Sequence, residues 1–140
     1  MAKAFNITSA SFDPDGATGS RALGSPMSAR IAIRGEMAND STGVDNFVSA
    51  QRLVRRKVFI QVAFNDHDDM RVIQSNSYLG AQGTLTIVVP DVNGAAQTGT
   101  ISNAILTEVV GDAQHAEFGS HIATFEAIST DGSTNPISWV

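Results

Sequence analysis

Short segments rich in β-branched residues recur along the 140-residue chain, and clusters of Gly, Asn, Asp, Ser and Pro separate them. This pattern is typical of strands joined by tight turns in an antiparallel β domain. The clusters matter because their residues tolerate the tight or left-handed backbone of a chain reversal. The pattern predicts strands at Ala4–Ser11, Ser28–Glu36, Arg56–Phe64, Met70–Ser75, Gly83–Val89, Thr100–Val110, His121–Ser129 and Pro136–Val140.

Two regions differ from the strand pattern. In Val44–Val54, three apolar residues lie near helical spacing behind polar residues that offer capping side chains, so we predict one short helix there. Ala10–Ser28 holds three Gly and two Pro, too many for a central strand, which predicts a long loop or arm. Turns are predicted at Asp13–Gly16, Asn65–Asp69, Asp91–Gly94 and Asp131–Pro136.

The length of the chain suits a single domain, residues 1–140, with one hydrophobic core. The N-terminal residues have neither a basic start nor an apolar run, so we expect no signal peptide. No stretch approaches the roughly 20 apolar residues of a membrane span, and we expect no membrane partner.

Charge is scarce and unevenly distributed. Charged residues make up 16% of the chain, below the roughly 25% usual for soluble domains, and such a surface tolerates burial against neighbours. All nine Lys and Arg precede residue 72, whereas six acids and no Lys or Arg follow it. An acidic half repels a polyanion, which argues against tight nucleic-acid binding there. The one dense basic run, Arg52–Lys57, is expected to pair with carboxylates within the subunit or across an interface.

The strands predicted at Thr100–Val110 and His121–Ser129 carry apolar residues on both faces. Strict alternation in the first of them would set Ile101, Ile105 and Val109 against Ala104, Leu106 and Val110. Such strands need two covers, one from their own core and one from another layer. A second subunit is a natural second cover in a small chain, and a helix or long loop over the central strands of a sandwich is the alternative. The predicted subunit interface comprises Ile101, Ala104, Ile105, Leu106, Val109, Ile122, Phe125 and Ile128.

No catalytic or metal-binding pattern rises above background. The absence of Cys excludes a disulfide framework, thiolate zinc ligation and a Cys nucleophile. The Asn65–Asp69 segment could hold a cation only if a tight loop made its side chains converge, and a solvated turn is the simpler interpretation. No nucleophile elbow, zinc-protease helix or phosphate-cradling loop is present. We therefore expect neither an enzyme nor a cofactor or metal, and keep as an alternative a binding module or hydrolase that uses Asp66–Asp69 or His115–His121.

The C-terminal segment, Gly119–Val140, resembles the closing segment of bacteriophage tail tube proteins, which are related to the tube proteins of type VI secretion. In these proteins a strand ends in a Ser-x-Asp-Gly turn, followed by Asn-Pro and a last short strand. The rest of the chain agrees with them in size, β content and the predicted helix. The matching positions are Phe125, Ala127, Ser129, Asp131, Gly132, Asn135 and Pro136.

The resemblance implies a tail-tube-like domain, mainly β, with an antiparallel β-sandwich or barrel and one short flanking helix. It implies hexameric rings that stack into a tube and line a channel through which double-stranded DNA passes. An acidic lumen would let DNA slide without specific binding, which fits the acidic half of the chain. We therefore predict that Glu108, Glu117 and Glu126 face the lumen.

The resemblance also implies a virion protein of the phage tail, assembled in the host bacterial cytoplasm. Its expected partners are copies of itself together with sheath, tape measure and baseplate or terminator proteins. The segments Ala10–Ser28 and Gly35–Asp45 are predicted to make ring-to-ring contacts, because they are long, contain glycine and are too polar for a core. The alternative within this setting is a tail terminator, a baseplate ring or a capsid decoration protein.

Overall fold

The structure is a computed structural model that describes residues 7–16, 18–39, 51–90, 95–111 and 120–140. Within these ranges no helix has the length and apolar character needed to cross a membrane. The described elements are β1 (Ser9–Pro14), β2 (Arg21–Ala22), β3 (Pro26–Asn39), β4 (Gln51–Phe64), α1 (His67–Ile73), β5 (Gln82–Pro90), β6 (Ala96–Val110), β7 (His121–Ala127) and β8 (Ile137–Trp139).

All eight strands belong to one antiparallel sheet in the order β2-β1-β5-β6-β7-β4-β3, with β8 paired to β6. The 15-residue β6 organises the sheet, because β5 pairs along one of its edges while β8 and β7 follow each other along the other. The mainly β, antiparallel fold with one short helix is therefore confirmed, and the sheet does not close into a barrel.

The sheet curls over itself to enclose the core. In a flat sheet β1 and β7, three positions apart, would be separated by about 14 Å. The ring centroids of Phe12 on β1 and Phe125 on β7 are instead 5.1 Å apart. Inward-facing residues from both halves thus pack against each other, and the fully buried ones include Phe12, Ile60, Phe64, Leu85, Ile87, Leu106 and Phe125.

The strand predicted at Met70–Ser75 is wrong, because this part of the chain forms α1. Asp66 caps the helix by accepting a hydrogen bond from the backbone N–H of Asp69 at 3.0 Å, and a second acid, Asp68, lies in the first turn. Met70 and Ile73, three residues apart, are both buried. A capped start followed by apolar residues at this spacing is a helical pattern, and only one helical turn of the sequence carries it.

The helix predicted at Val44–Val54 is wrong for the part of this segment that the structure describes. Residues 51–54 belong to β4, and residues 44–50 lie outside the described residues. The predicted loop at Ala10–Ser28 also contains structure, since β1 continues to Pro14 and β2 pairs with it. The strands predicted at Ser28–Glu36, Arg56–Phe64, Gly83–Val89, Thr100–Val110, His121–Ser129 and Pro136–Val140 are confirmed as β3 to β8, with ends that differ by a few residues.

Candidate assembly surface

Four neighbouring strands, β3, β4, β7 and β6, present one face to the core and the opposite face outward. On β4 the inward residues are fully or nearly fully buried, and the residues between them point away from the core. The register extends this surface to the neighbouring strands, because residues directly opposite each other share a face. We define the outer face as Arg30, Ala32 and Arg34 of β3, Lys57, Phe59, Gln61 and Ala63 of β4, Ile122, Thr124 and Glu126 of β7, and Ile105, Glu108 and Val110 of β6.

The charges of the outer face are divided between its two sides. Glu108 lies on β6 and Glu126 on β7, so two of the three predicted lumen residues share this surface. Arg30, Arg34 and Lys57 lie on β3 and β4 of the same surface. The face is therefore acidic along β6 and β7 and basic along β3 and β4. Glu117 lies outside the described residues.

Part of the basic side is neutralised within the chain. Glu36 accepts ion pairs from Arg55 Nε and Lys57 Nζ, each at 3.0 Å, so two residues of the basic run pair with a carboxylate of the same subunit. The guanidinium of Arg34 lies 5.2 Å from the ring centroid of Phe59, within the range of a cation–π contact. The single carboxylate of Glu36 offsets one of these positive charges, whereas the cation–π contact holds Arg34 in place and leaves its charge unchanged.

Four of the eight predicted interface residues belong to the core of the chain. Ile101, Ala104, Leu106 and Phe125 have no exposed surface, so they cannot meet a second subunit. Ile105 is half-buried on the outer face, and Val109 packs against the core. Ile122 and Ile128 are 38% and 43% exposed, and their role in an interface stays a prediction.

Two irregularities in β6 explain why alternation misassigned its faces. The pairing of β6 with β7 shifts between Leu106 and Glu108. The pairing of β6 with β5 shifts between Gly83 and Leu85 of β5, and the β6 segment opposite this shift contains Asn103, whose φ is 56°. Each bulge inverts the side on which later residues point. Ile101, Ala104, Leu106 and Val109 therefore all face the core, although strict alternation divides them.

Because of the same inversion, Val110 lies on the outer face, although it is not among the predicted interface residues. Val110 is 45% exposed and lies directly opposite Ile122 of β7, which is 38% exposed. Ala63 of β4 pairs with Ile122 from the other side. These three residues form an apolar row across the outer face, close to the end of the sheet that carries α1.

The C-terminal turn motif forms a closed hydrogen-bond network. The carboxylate of Asp131 accepts bonds from the hydroxyl of Thr134 at 2.5 Å, the backbone N–H groups of Thr134 and Ser133 at 2.7 and 2.9 Å, and the hydroxyl of Ser129 at 2.9 Å. These donors, the Thr134 hydroxyl first, hold the pKa of Asp131 well below its usual range, because they stabilise the charged form. Gly132 takes φ +76°, a left-handed conformation that favours glycine.

The remaining motif residues lead the chain from this turn into β8. The side-chain oxygen of Asn135 accepts a bond from the backbone N–H of Ile137 at 3.0 Å, and the carbonyl of Pro136 accepts one from Ser102 of β6. β8 then pairs with β6. The five motif residues Ser129, Asp131, Gly132, Asn135 and Pro136 thus act structurally, by directing the last strand onto β6.

The acidic segment Asp66–Asp69 forms the cap and first turn of α1, where a turn was predicted, and its contacts fix local structure. Asp69 is 9% exposed, accepts a hydrogen bond from the backbone N–H of Gly24 at 2.8 Å, and forms an ion pair with Arg21 at 2.5 Å. These contacts tie the segment after β2 to α1. In the described ranges, no group of three or more His, Asp or Glu is arranged to hold a metal ion.

The predicted histidine region is only partly described. His121 is 2% exposed, and its ring centroid lies 5.7 Å from the rings of both Phe64 and His67. These tilted ring contacts pack the start of β7 against the end of β4 and the start of α1. His115 lies outside the described residues.

Sequence comparison and structure comparison give different results for this chain. No known protein family model matches the sequence, and no curated protein matches it. The fold is similar to a chain in the tail of the empty gene transfer agent particle, which has C6 symmetry, with a TM-score of 0.58 and 15% identity over 94% of both chains.

Two further similar structures come from the anti-feeding prophage. A chain of its six-fold symmetrised baseplate matches with a TM-score of 0.67 and 7% identity, over all of this chain and 95% of the other. A chain of its tube-terminating cap matches with a TM-score of 0.54 and 15% identity, over all of this chain and 94% of the other. At these identities the likeness establishes the fold, which this chain shares with subunits of phage-tail-like particles.

Proposed function

We propose that this chain is a structural virion protein, the protomer of a phage tail tube built from stacked hexameric rings. The observation that carries the proposal is the shared fold, which extends over 94% or more of the chain and recurs in particles of six-fold symmetry. In this role the chain acts as one domain, without catalysis or a cofactor, in a tail assembled in the host bacterial cytoplasm. Sheath, tape measure and baseplate or terminator proteins are its further partners.

The edge strand β3 supports assembly with copies of the same chain. β3 is 14 residues long, lies at the end of the strand order and pairs only with β4 among the described residues. Ile33 and Met37 on this strand are 50% and 49% exposed. A long edge with exposed apolar residues invites another strand, and closed assembly removes the edge. A neighbouring copy in the ring is the partner we propose.

The outer face is the surface that we propose for the channel lining. It carries Glu108 and Glu126, which would repel the phosphates of passing DNA. Of its cations, Lys57 is paired with Glu36, and Arg34 is held against the ring of Phe59 and keeps its charge. DNA would then pass without specific binding.

Negative-stain electron microscopy of the purified protein tests the proposal. We expect rings with six-fold symmetry and tubes made from them, because each copy offers an edge that a neighbour covers. A chain that stays monomeric at high protein concentration would contradict the proposal.

A second candidate function is a single-ring component of the same kind of particle. It is favoured by the likeness to the anti-feeding prophage baseplate, whose TM-score of 0.67 exceeds that for the gene transfer agent tail, and by the likeness to the tube-terminating cap. Copy number in purified particles separates the two functions. A tube protomer is present in many stacked rings, whereas a baseplate ring or terminator is present in one.

A further inference from the structure

The end of the sheet beside α1 is a strip of four strands, β6, β7, β4 and β3. β5 begins at Gln82, which pairs with Ile105, so residues 107–110 of β6 extend beyond it. Among the described strands none pairs with this part of β6 on that side, and the side-chain amide of Gln74 donates to the carbonyl of Val109 at 3.3 Å instead. β3 forms the other edge of the strip. Each edge is therefore a place where a strand of another molecule can approach.

One row of residues across the strip has opposite charges at its two ends. The row consists of Arg30 on β3, Gln61 on β4, Thr124 on β7 and Glu108 on β6. Arg30 and Glu108 are both exposed on the outer face. Their backbones are separated by three strand spacings, about 14 Å. Neither residue has an ion pair within the part of the chain that the structure describes.

The two neighbouring rows of the outer face end in uncharged residues. Toward α1, Ser28 of β3 is in line with Val110 of β6, and on the other side Ala32 is in line with Ile105. The charges at the two edges of the strip are therefore confined to one level.

The two edges also run in opposite directions. Three antiparallel pairings separate β3 from β6, so β3 is antiparallel to β6. In a cyclic ring all copies have the same orientation along the axis. If β3 of one copy approaches β6 of the next, the two strands are antiparallel, and the alternation of the sheet continues across the contact.

We propose that β3 of one copy lies beside residues 107–110 of β6 in the next copy of the ring, and that Arg30 forms an ion pair with Glu108 across this contact. The pair tolerates a stagger of two residues between copies, because diagonal neighbours about 7–8 Å apart are within reach of long side chains. It would also offset the charge of Arg30 on the proposed channel lining and leave Glu126 to repel phosphates. This inference rests on the proposed function, because it requires a ring, and it names the edge that β3 meets.

Charge reversal in the full-length protein tests the inference. Sedimentation velocity measures the protein concentration at which half of the chains are in rings. We expect Arg30→Glu to raise this concentration about tenfold or more, because like charges then face each other at every contact in the ring. Glu108→Arg should have the same effect from the other side of the contact.

Arg34→Glu is the matched control. Arg34 is exposed on the same face of β3, about 13 Å from Arg30, and is held against the ring of Phe59. We expect this variant to form rings at the concentration of the unmodified protein. Because Arg30 and Glu108 are exposed, both single variants should unfold at the same urea concentration as the unmodified protein when all are monomeric.

Exchange of the two charges provides the decisive arm. Combining Arg30→Glu with Glu108→Arg should restore ring formation, since the pair is then complementary again. Unchanged ring formation in either single variant, an equal loss in Arg34→Glu, or no recovery in the combined variant would each overturn the inference. Absence of rings from the unmodified protein would instead overturn the proposed function, and this inference with it.

Discussion

Trp139 of β8 packs directly over Gly99 of β6, and a Cβ atom at Gly99 would lie 2.8 Å from the indole ring. The two residues are also direct partners in the register of β6 and β8. The glycine is therefore required by close approach, and the last strand is held both by backbone pairing and by this contact. The C-terminal turn matters because it delivers β8 to that position.

Gly99→Ala should displace the indole ring and weaken the seating of β8, because the added methyl group occupies its place. Trp139 is the only Trp in the chain, so its fluorescence reports on this site directly. We expect the emission maximum to move to longer wavelength as the ring becomes more exposed. Ser138→Ala, at an exposed neighbouring position, should leave the emission unchanged. Identical spectra for Gly99→Ala and the unmodified protein would show that the ring does not depend on the glycine.

Phe125→Ala should lower the free energy of unfolding by about 3–5 kcal/mol, as is usual for loss of a fully buried aromatic side chain. Its ring contacts Phe12 across the core, so truncation leaves a cavity between the two halves of the curled sheet. Urea unfolding of dilute protein measures the change. Phe59→Ala, at a half-buried position on the outer face, is the matched control and should lower the free energy of unfolding by less. An equal decrease for the two variants would argue against the packing described for Phe125.

Asp131→Asn should destabilise the turn, because an amide group cannot replace a carboxylate that accepts four hydrogen bonds. The pKa of Asp131 is lowered in the folded chain, so its stabilisation is fully present above the unfolded value of about 4 and is lost as pH falls toward the folded value. The difference in unfolding free energy between the unmodified protein and the variant should thus be larger at pH 7 than at pH 3. Asp13→Asn, an exposed acid on β1, is the control, and a pH-independent difference for Asp131→Asn would refute the assignment.

Cysteine labelling tests which surface lines the channel, and the absence of native Cys makes single-Cys variants unambiguous. Gln61→Cys places the thiol on the outer face, whereas Asp13→Cys places it on β1, across the core. In assembled tubes a small maleimide should label both variants, and a bulky polymer-linked maleimide should label only Asp13→Cys, because the channel excludes it. Equal labelling of the two variants by the bulky reagent would place the outer face outside the channel.

The bulges of β6 show what the periodicity of a sequence predicts about a strand and what it does not. The sequence predicted a strand at Thr100–Val110, and a strand is present, since its β-branched residues favour extended backbone. Which residues face inward depended on two irregularities in pairing, and these arise only when β5 and β7 are in register with β6. A pattern of period 2 has no information about such insertions.

The helix shows a different limit. Met70–Ser75 contains enough β-branched and apolar residues to predict a strand, and the competing signal was local: the Asp66 cap and the spacing of Met70 and Ile73. α1 is also held from outside, because Asp69 contacts Gly24 and Arg21 from a distant part of the chain. In a seven-residue helix such tertiary contacts outweigh intrinsic propensity.

By itself, the sequence determined the antiparallel β class, most strand positions and the C-terminal turn, because these depend on local backbone preference and on hydrogen bonds between near neighbours. Only the tertiary structure decided how the sheet curls, which β6 residues are buried, and which charges share a surface. Burial of Ile101 and Leu106, and the presence of Glu108 and Glu126 on one face, result from strand order and register. Those are set by packing between segments that lie far apart in the chain, which no local pattern records.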